Sequence, residues 1–338
     1  MQYQITTPGP LLKDDGTLRQ SGYSTHPVLT YNRENIKAAP WRIKEWDFYQ
    51  VSNDRYCVQI TIGHLSYIGS VNAVFLDLEK GQRICSEKRL LLPFNRLSMP
   101  RSAEEGDLRY QSKYFDVAFT LGDRQRKLYA KITDPKQVPV DIEIVLDQPY
   151  DASVVMATPF DEDPHAFYYN HKINCMPASG HAVFGEREWI LNPENTFGLL
   201  DWGRGVWPFS HEWFWSNGST RIDGELFGFN LGYGFGNTSA ATENMLFYQG
   251  QCHKLEEVRF NIPKDGYTQP WTITSSDKRF EMEFLPVFDN YTENKMLFIQ
   301  TACHQVFGRF SGEAVLDDGR VLQVKDMMAF AEHAVNRW

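Results

Sequence analysis

Hydrophobic and polar residues alternate over many short segments of this 338-residue chain. A period of two residues is typical of half-buried β-strands. The clearest cases are residues 56–62 and 141–146. Further segments with this pattern are 70–78, 114–121, 127–132, 154–157, 187–191, 245–248, 256–262, 280–284, 296–300 and 306–310. We therefore predict a chain built mainly of β-strands.

Turn-forming residues separate several of these strands, and helical periodicity is scarce. The segments with the composition of hairpin loops are 79–81, 121–123 and 316–319. Apolar residues at helical spacing over 326–338 predict a C-terminal helix, and residues 33–39, followed by Pro40, predict a short one. Strands that follow strands favour an antiparallel sandwich or barrel over a doubly wound fold.

The composition of the chain changes near residues 148–151. Charged strands precede this point, and nearly all of the Gly- and Trp-rich sequence follows it. We expect two packed antiparallel β units with few short helices: an N-terminal β domain over 1–150 and a C-terminal β domain over 151–338 that carries the candidate site. The length is compatible with two domains or with one large β domain.

Aromatic residues make up 14% of the chain, a content that suits β-sheets and flat apolar or sugar-like ligands. Lys and Arg number 34 against 43 Asp and Glu, so the net charge is −9 and no basic surface for nucleic acid is expected. The N-terminal segment lacks the pattern of a secretion signal, and no apolar run is long enough for a membrane span. The five cysteines form no CxxC pair and fit reduced thiols, so we expect a cytoplasmic protein.

The segment 198–215 carries four of the nine tryptophans, interleaved with ionisable residues. These four are Trp202, Trp207, Trp213 and Trp215. If residues 207–215 are extended, one face carries Trp207, Phe209, His211, Trp213 and Trp215. Each of these side chains alone is compatible with a buried core. For the cluster we favour a ligand-binding wall, because indole N–H groups and an imidazole are costly to bury without polar partners.

The segment 227–236 follows, with apolar side chains at its odd positions, among them Tyr233. Its even positions are Gly228, Asn230, Gly232, Gly234 and Gly236. A strand that is bare on one face is typical of close approach by another backbone, a ring or a ligand, or of a strongly bent barrel strand. We predict that this glycine face, Trp207, His211 and Trp213 line one cavity.

The candidate acids and bases lie in the same region. This pool is Asp201, His211, Asp223, Glu225 and Glu243. Arg204, between two glycines, pairs with Asp201 or binds an anionic ligand. Glu243 is either a turn residue or a general acid whose pKa rises through desolvation. If Arg204 holds Asp201 ionised, Glu243 becomes the preferred proton donor, ahead of Asp201 and His211.

Asn170 and Lys172 lie in an aromatic and amide-rich segment, 167–175, and are candidate substrate-binding residues. A solvated position at the end of a strand is the alternative for the lysine. The histidines nearby lack the spacing of a zinc site, and no GxSxG sequence is present. We therefore expect no metal and no other cofactor.

Five segments resemble the signature of the DUF2804 family. They are 169–180, 200–208, 241–244, 306–312 and 332–338, and the second contains the specific string Asp-Trp-Gly-Arg-Gly-x-Trp-Pro. More loosely, the chain is similar to the two-domain lipocalin-like proteins that include carotenoid 1,2-hydratases, tocopherol cyclases and fungal cyclisation enzymes. In the hydratases a His-x-Trp pair and a nearby Asp support protonation of a double bond. His211-Glu212-Trp213 has that form, and Glu243 is the substitute for the Asp.

Three functions follow from these residues. The first is an enzyme that uses acid/base catalysis for hydration, elimination or cyclisation at a C=C or enol-ether carbon. The second is a carbohydrate-active enzyme with paired carboxylates. The third is a carrier that performs no chemistry. In each case the partner is a small molecule, unsaturated or sugar-like. One acid in an apolar cavity favours the first, paired open carboxylates the second, and acids that are all in ion pairs the third.

Overall fold

The computed structural model describes residues 2–93, 96–296 and 299–337, without the side chains of residues 296 and 299. Strands β1 to β15 are Gly9–Pro10, Gly22–Ser24, Leu29–Thr30, Ile43–Ser52, Tyr56–His64, Ile68–Asp77, Gln82–Leu91, Leu108–Gln111, Phe115–Gly122, Gln125–Ile132, Val140–Asp147, Val154–Pro159, Phe167–Phe184, Arg187–Leu191 and Phe197–Val206. Strands β16 to β24 are Ser210–Ile222, Glu225–Tyr233, Met245–Tyr248, Gln251–Lys254, Val258–Asn261, Trp271–Ser275, Phe280–Met296, Ile299–Val315 and Val321–Arg337. The prediction of a mainly β chain is confirmed.

Two large sheets contain most of the strands. The first has 13 strands, with β7-β6-β5-β4-β15-β13-β11-β10-β9-β8 as its main path and β2, β12 and β14 attached to it. The second has nine strands in the order β19-β18-β17-β16-β24-β23-β22-β21-β20. The predicted boundary near residue 150 lies between β11 and β12, inside the first sheet. The chain passes from one sheet to the other between β15 and β16.

Each sheet has its own hydrophobic core, and a third cluster joins them. Ile60, Ile142 and Phe184 belong to the core of the first sheet. The core of the second contains Phe229 and Phe280, with Phe284, Phe310 and Ala331. In the third cluster, Leu76 and Leu199 of the first sheet lie with Trp215 and Phe330 of the second. The two β units are therefore packed against each other, as predicted.

The predicted C-terminal helix over 326–338 is wrong, because residues 321–337 form β24, which pairs with β16 and β23. Met327 and Ala329 face the second core, whereas Met328 and Phe330 face the cluster between the sheets. Burial on both faces creates a continuous apolar run that mimics helical spacing. Trp338 lies outside the described residues.

Two other predicted elements, the helix over 33–39 and the strand over 296–300, also differ from the structure. The predicted helix over 33–39 is wrong: one 3-10 turn covers Arg33–Asn35 and a second covers Pro40–Arg42, which the proline begins. The predicted strand over 296–300 spans the end of β22 and the start of β23, and residues 297 and 298 are outside the described part of the chain.

A buried charge network crosses the interior of the first unit. The guanidinium of Arg204 is fully buried, with Nη2 2.8 Å from Asp47 Oδ1 and Nε 3.8 Å from Glu45 Oε1. Its Nη1 donates to the Trp46 carbonyl oxygen, 2.7 Å away. Glu45 in turn accepts a hydrogen bond from Tyr31, at 2.8 Å. Removal of one charge would leave the others buried without compensation.

We expect Arg204→Met to lower the free energy of unfolding by about 3–5 kcal/mol, because Asp47 would then be buried without its cation. Urea unfolding measures this change. Arg109→Met is the matched control, since Arg109 pairs with Asp116 on the surface and its loss should cost about 1 kcal/mol or less. Equal effects of the two substitutions would contradict the role of the Arg204 pair.

Candidate functional site

A cavity of about 720 Å³ lies between the two sheets. One side of it is aromatic, and the other carries amide and hydroxyl groups. The aromatic lining residues are Trp46, Phe48, Tyr168, Trp207, Trp213, Trp215 and Phe235. The uncharged polar lining residues include Gln59, Thr61, Ser70, Asn72, Asn290 and Gln305. Its ionisable lining residues include Lys172, Asp201, His211, Glu243 and Glu332, together with Arg83, Glu87, Arg89 and Glu293. A cavity of this size and mixed lining suits a small organic molecule.

A buried ammonium group organises the charges of the cavity. Lys172 on β13 is the direct cross-strand partner of Asp201 on β15, and its Nζ lies 3.2 Å from Asp201 Oδ1 and 3.5 Å from Glu243 Oε2. The same Nζ is 4.0 Å from the ring centroid of Trp215. Burial opposes the charge of Lys172, but the two carboxylates outweigh it and raise the pKa of the lysine. The ammonium thus stays charged and anchors both acids.

Asp201 is held by three donors. Besides Lys172, Asn170 Nδ2 donates to Asp201 Oδ1 at 2.6 Å, and Trp46 Nε1 donates to Oδ2 at 3.1 Å. Gly203, on the same face of β15, leaves space for the indole of Trp46, because a Cβ there would overlap the ring. Asp201 is therefore a hydrogen-bond acceptor that these three donors hold in one position.

Glu243 approaches the cavity across the glycine face of β17. Asn230 Nδ2 donates to Glu243 Oε2 at 2.9 Å and to the Glu243 carbonyl oxygen at 2.9 Å. A Cβ at Gly232 would overlap Glu243 Oε1, so the glycine is needed for the carboxylate to reach Lys172. The glycine face of β17 thus leaves space for the carboxylate of Glu243 at Gly232 and for the thiol of Cys175 at Gly228.

Glu332 on β24 is a further carboxyl group that lines the cavity. It is 8% exposed, and its Oε1 accepts a hydrogen bond from Trp213 Nε1 at 2.8 Å. Burial raises its pKa to about 7, although Trp213 and the charge of Lys172 act in the opposite direction. In the described part of the chain, Glu332 forms no ion pair with Lys or Arg. It is the carboxyl group best suited to carry a proton near neutral pH.

His211 lies at the aromatic end of the cavity. Its ring stacks on Trp213 with centroids 5.7 Å apart and contacts Trp207 and Phe235 edge-on. Nδ1 is 3.1 Å from the carbonyl oxygen of Pro208, which can only accept, so Nδ1 carries the proton. Burial lowers the pKa of His211 to about 4. The ring is therefore neutral at pH 7, and Nε2 is the basic nitrogen.

Several predicted site residues line this cavity together. They are Trp207, His211, Trp213, Trp215, Lys172, Asp201 and Glu243. Asn170 contributes through its hydrogen bond to Asp201. The strand that carries His211, Trp213 and Trp215 and the strand that carries the glycine face, β16 and β17, lie side by side. The glycines themselves do not line the cavity, because Glu243 and Cys175 cover the face.

Other predicted positions lie elsewhere, because a strand points successive side chains to opposite faces. Trp202 and Arg204 face the interior of the first unit, and Arg204 pairs with Asp47 instead of Asp201. Tyr233 faces the second core and stacks on Phe214. The remaining residues away from the cavity are Phe209, which is 51% exposed, and Asp223 and Glu225 at the β16–β17 hairpin.

Glu332, Tyr168 and Gln305 are lining residues that sequence reasoning missed. Glu332 is in the segment that was predicted to be a helix, and Gln305 precedes a predicted strand. The sequence pattern therefore did not indicate that the two residues lie on neighbouring strands. Tyr168 is near the candidate Asn170 in sequence.

In residues 2–93, 96–296 and 299–337, no group of three or more His, Cys, Asp or Glu side chains is arranged to hold a metal ion. No helix among these residues is long and apolar enough to cross a membrane.

The sequence profile of the DUF2804 family, a domain of unknown function, matches residues 2–338. The chain belongs to the DUF2804 family. No curated protein matches its sequence. The predicted family is thus confirmed, and the match extends over both β units.

Solved structures similar to this DUF2804 protein share its architecture at low sequence identity. Kievitone hydratase from Nectria haematococca has a TM-score of 0.57 at 11% identity, over 99% of this chain and 97% of that one. An AttH-like protein from Nitrosomonas europaea has a TM-score of 0.53 at 11% identity, over 88% and 92%. CghA with Sch210972 has a TM-score of 0.53 at 9% identity, over 97% of each chain. These similarities confirm the lipocalin-like fold.

We expect Gly232→Ala to destabilise the DUF2804 protein by about 1–3 kcal/mol, because the added methyl group would displace Glu243 from Lys172. The free energy of unfolding in urea measures the effect. Gly122→Ala is the control, since the nearest atoms to its new Cβ would be 3.8 Å away. If the Gly232 variant is as stable as the wild type, the carboxylate of Glu243 is not confined by the backbone at Gly232.

The raised pKa of Glu332 makes stability depend on pH. Because the folded state binds this proton more tightly than the unfolded state, the stabilisation is complete below the ordinary pKa of 4.5 and is lost as pH rises through about 7. Relative to Glu332→Gln, the wild type should therefore lose about 3 kcal/mol of unfolding free energy across this range. Urea unfolding at a series of pH values measures it. Glu186→Gln, at an exposed turn, should follow the wild type throughout.

Proposed function

We propose that this protein is an enzyme that adds, removes or redistributes atoms at a C=C or enol-ether carbon of a small molecule by acid/base catalysis. The reaction class is hydration, elimination or cyclisation. The observation that carries the proposal is Glu332, a carboxyl group with a pKa of about 7 that faces an aromatic cavity. A general acid is most useful when its pKa is close to the working pH.

The proposed chemistry assigns separate roles to Glu332 and His211. Protonated Glu332 delivers its proton to a substrate carbon, and the rings of Trp213 and Trp215 stabilise the positive charge that develops beside it. In a hydration, His211 Nε2 accepts a proton from the attacking water, whose oxygen forms the new C–O bond. In an elimination these transfers run in reverse. Trp213 contacts both residues, with Glu332 at the N–H edge of its indole and His211 stacked on its face.

Kievitone hydratase, which by its name is a hydratase, shares the fold over nearly the whole of both chains. That likeness supports a hydratase or cyclase among the functions that the residues allow. The carbohydrate-active alternative needs two carboxyl groups that are free to act on a glycosidic bond. Asp201 and Glu243 are both bound to Lys172, so the pair is poorly suited to that role. The carrier alternative is less suited because Glu332 has no ion-pair partner in the described part of the chain.

A substrate screen tests the proposal directly. Alkenes, alkenyl phenols and enol ethers would be incubated in H₂¹⁸O and in D₂O, with glycosides, glycals and saturated analogues as comparison arms. Mass spectrometry would detect oxygen or deuterium that the unsaturated compounds take up. Turnover of glycosides alone would support the carbohydrate-active alternative, and binding without turnover would support the carrier.

With a substrate identified, we expect Glu332→Gln to lower kcat by about 10²-fold or more, the usual contribution of a general acid, while binding persists. Wild-type kcat should fall as pH rises through about 7, when Glu332 loses its proton, and as pH falls through about 4, when His211 gains one. Glu212→Gln is the matched control, because this exposed carboxylate on β16 pairs with His333 outside the cavity. A normal kcat in the Glu332 variant would remove this residue from the mechanism.

A further inference from the structure

A second cleft of about 800 Å³ lies away from the candidate site. Its walls come from the β9–β10 hairpin of the first sheet and the β18–β19 hairpin of the second. Lining residues include Arg124, Arg126, Glu104, Gln148 and Gln251. No residue lining this cleft also lines the Glu332 cavity. It is therefore a separate place at which a ligand can contact both sheets.

Arg126 is the unusual residue of this cleft because it is a buried arginine without an acidic partner. It is 4% exposed, yet within residues 2–93, 96–296 and 299–337 it forms no ion pair with a carboxylate. Burial of a guanidinium without a directly paired carboxylate is costly, and the charges of Asp47 and Glu104 act on Arg126 without such a contact. Arginine remains protonated in proteins, so the charge persists.

The hydrogen bonds of Arg126 leave one edge of the guanidinium available. Nε donates to Gln148 Oε1 at 3.0 Å, and Nη1 donates to the Ala103 carbonyl oxygen at 2.8 Å and to Tyr49 Oη at 3.3 Å. Nη2 donates to no acceptor among the described residues. These contacts hold the planar group in place, and its remaining donors are pre-organised for a ligand oxygen.

The positive charge of Arg126 acts to lower the pKa values of two neighbouring groups, His171 and Glu104. His171, which is buried behind the cleft, has a pKa lowered to about 3, first by burial and then by the charges of Arg126 and His26. Glu104, in the cleft wall, has a pKa raised by burial, and Arg126 acts against that shift without pairing with it. Arg124 at the rim pairs with the exposed Asp151, which also lines the cleft. The inner end of the cleft is thus electropositive, and Glu104 is the acidic wall residue without an ion pair in the described part of the chain that opposes an incoming anion.

We propose that this cleft is a binding site for a small anion whose carboxylate or phosphate oxygens accept hydrogen bonds from Arg126 Nη2. Arg124 lies at the entrance, where it pairs with Asp151. The bound anion gives Arg126 a hydrogen-bonded counter-charge, in addition to the charges of Asp47 and Glu104, which act on it without an ion pair in the described part of the chain. This site is independent of the chemistry assigned to Glu332.

Calorimetric titration with inorganic phosphate and with succinate, at matched ionic strength against sodium chloride, tests the proposal. Wild-type protein should bind at least one of the two, and the stronger of them identifies the preferred group. Arg126→Gln should weaken that binding by about tenfold or more. Glu104→Gln should tighten it several-fold by removing the opposing charge, a gain that damage to the fold would not produce.

Two further variants locate the bound anion. Glu186→Gln, which removes a negative charge outside the cleft, should leave the affinity unchanged, as should Glu332→Gln in the other cavity. Absence of binding by both anions would overturn the proposal. So would an affinity that Glu104→Gln does not raise, or one that Glu186→Gln raises equally, because the anion would then respond only to net charge.

Discussion

The contact of the Lys172 ammonium with two carboxylates is the interaction on which the architecture of the site depends. Lys172 and Asp201 belong to adjacent strands of the first sheet, whereas Glu243 belongs to the second unit. Each charge alone would be costly at this depth, and the three together are compensated. Trp215 of the second sheet lies over the same ammonium. The relative position of the two units is therefore coupled to charge pairing at the wall of the cavity.

This arrangement separates the acids of the cavity into two kinds. Asp201 and Glu243 are fixed by the ammonium and by amide donors, so they serve mainly to hold the walls together. Glu332 lies close enough to respond to the charges of Lys172 and Asp201, but burial is the largest influence on its pKa. Burial in the aromatic wall thus raises the pKa of Glu332, which is not paired with the ammonium.

The sequence predicts the local features of this molecule better than its long-range pairings. Alternation identified strands such as β5 and β11, and the looser resemblance to the two-domain lipocalin-like proteins pointed to that fold. Period-two reasoning also placed His211, Trp213 and Trp215 on one face, because that relation is internal to β16. The same alternation puts Arg204 and Asp201, three positions apart in β15, on opposite faces, but it could not show that Asp47 is the partner of Arg204, since Asp47 is distant in sequence. Nor could it find the Lys172 pair, which requires the register of β13 against β15.

Register also explains why Glu332 faces the cavity. On β24 this residue lies opposite Trp215 of β16 and Gln305 of β23, with its side chain toward the cavity. His333 points the other way, toward Glu212 and Tyr267. A shift of one residue would exchange the two side chains and place an imidazole where the carboxyl group now stands. The shift is opposed because it would also turn Ala331 out of the second core and Phe330 out of the cluster between the sheets. Packing on both faces of one strand therefore determines which titratable group the cavity receives.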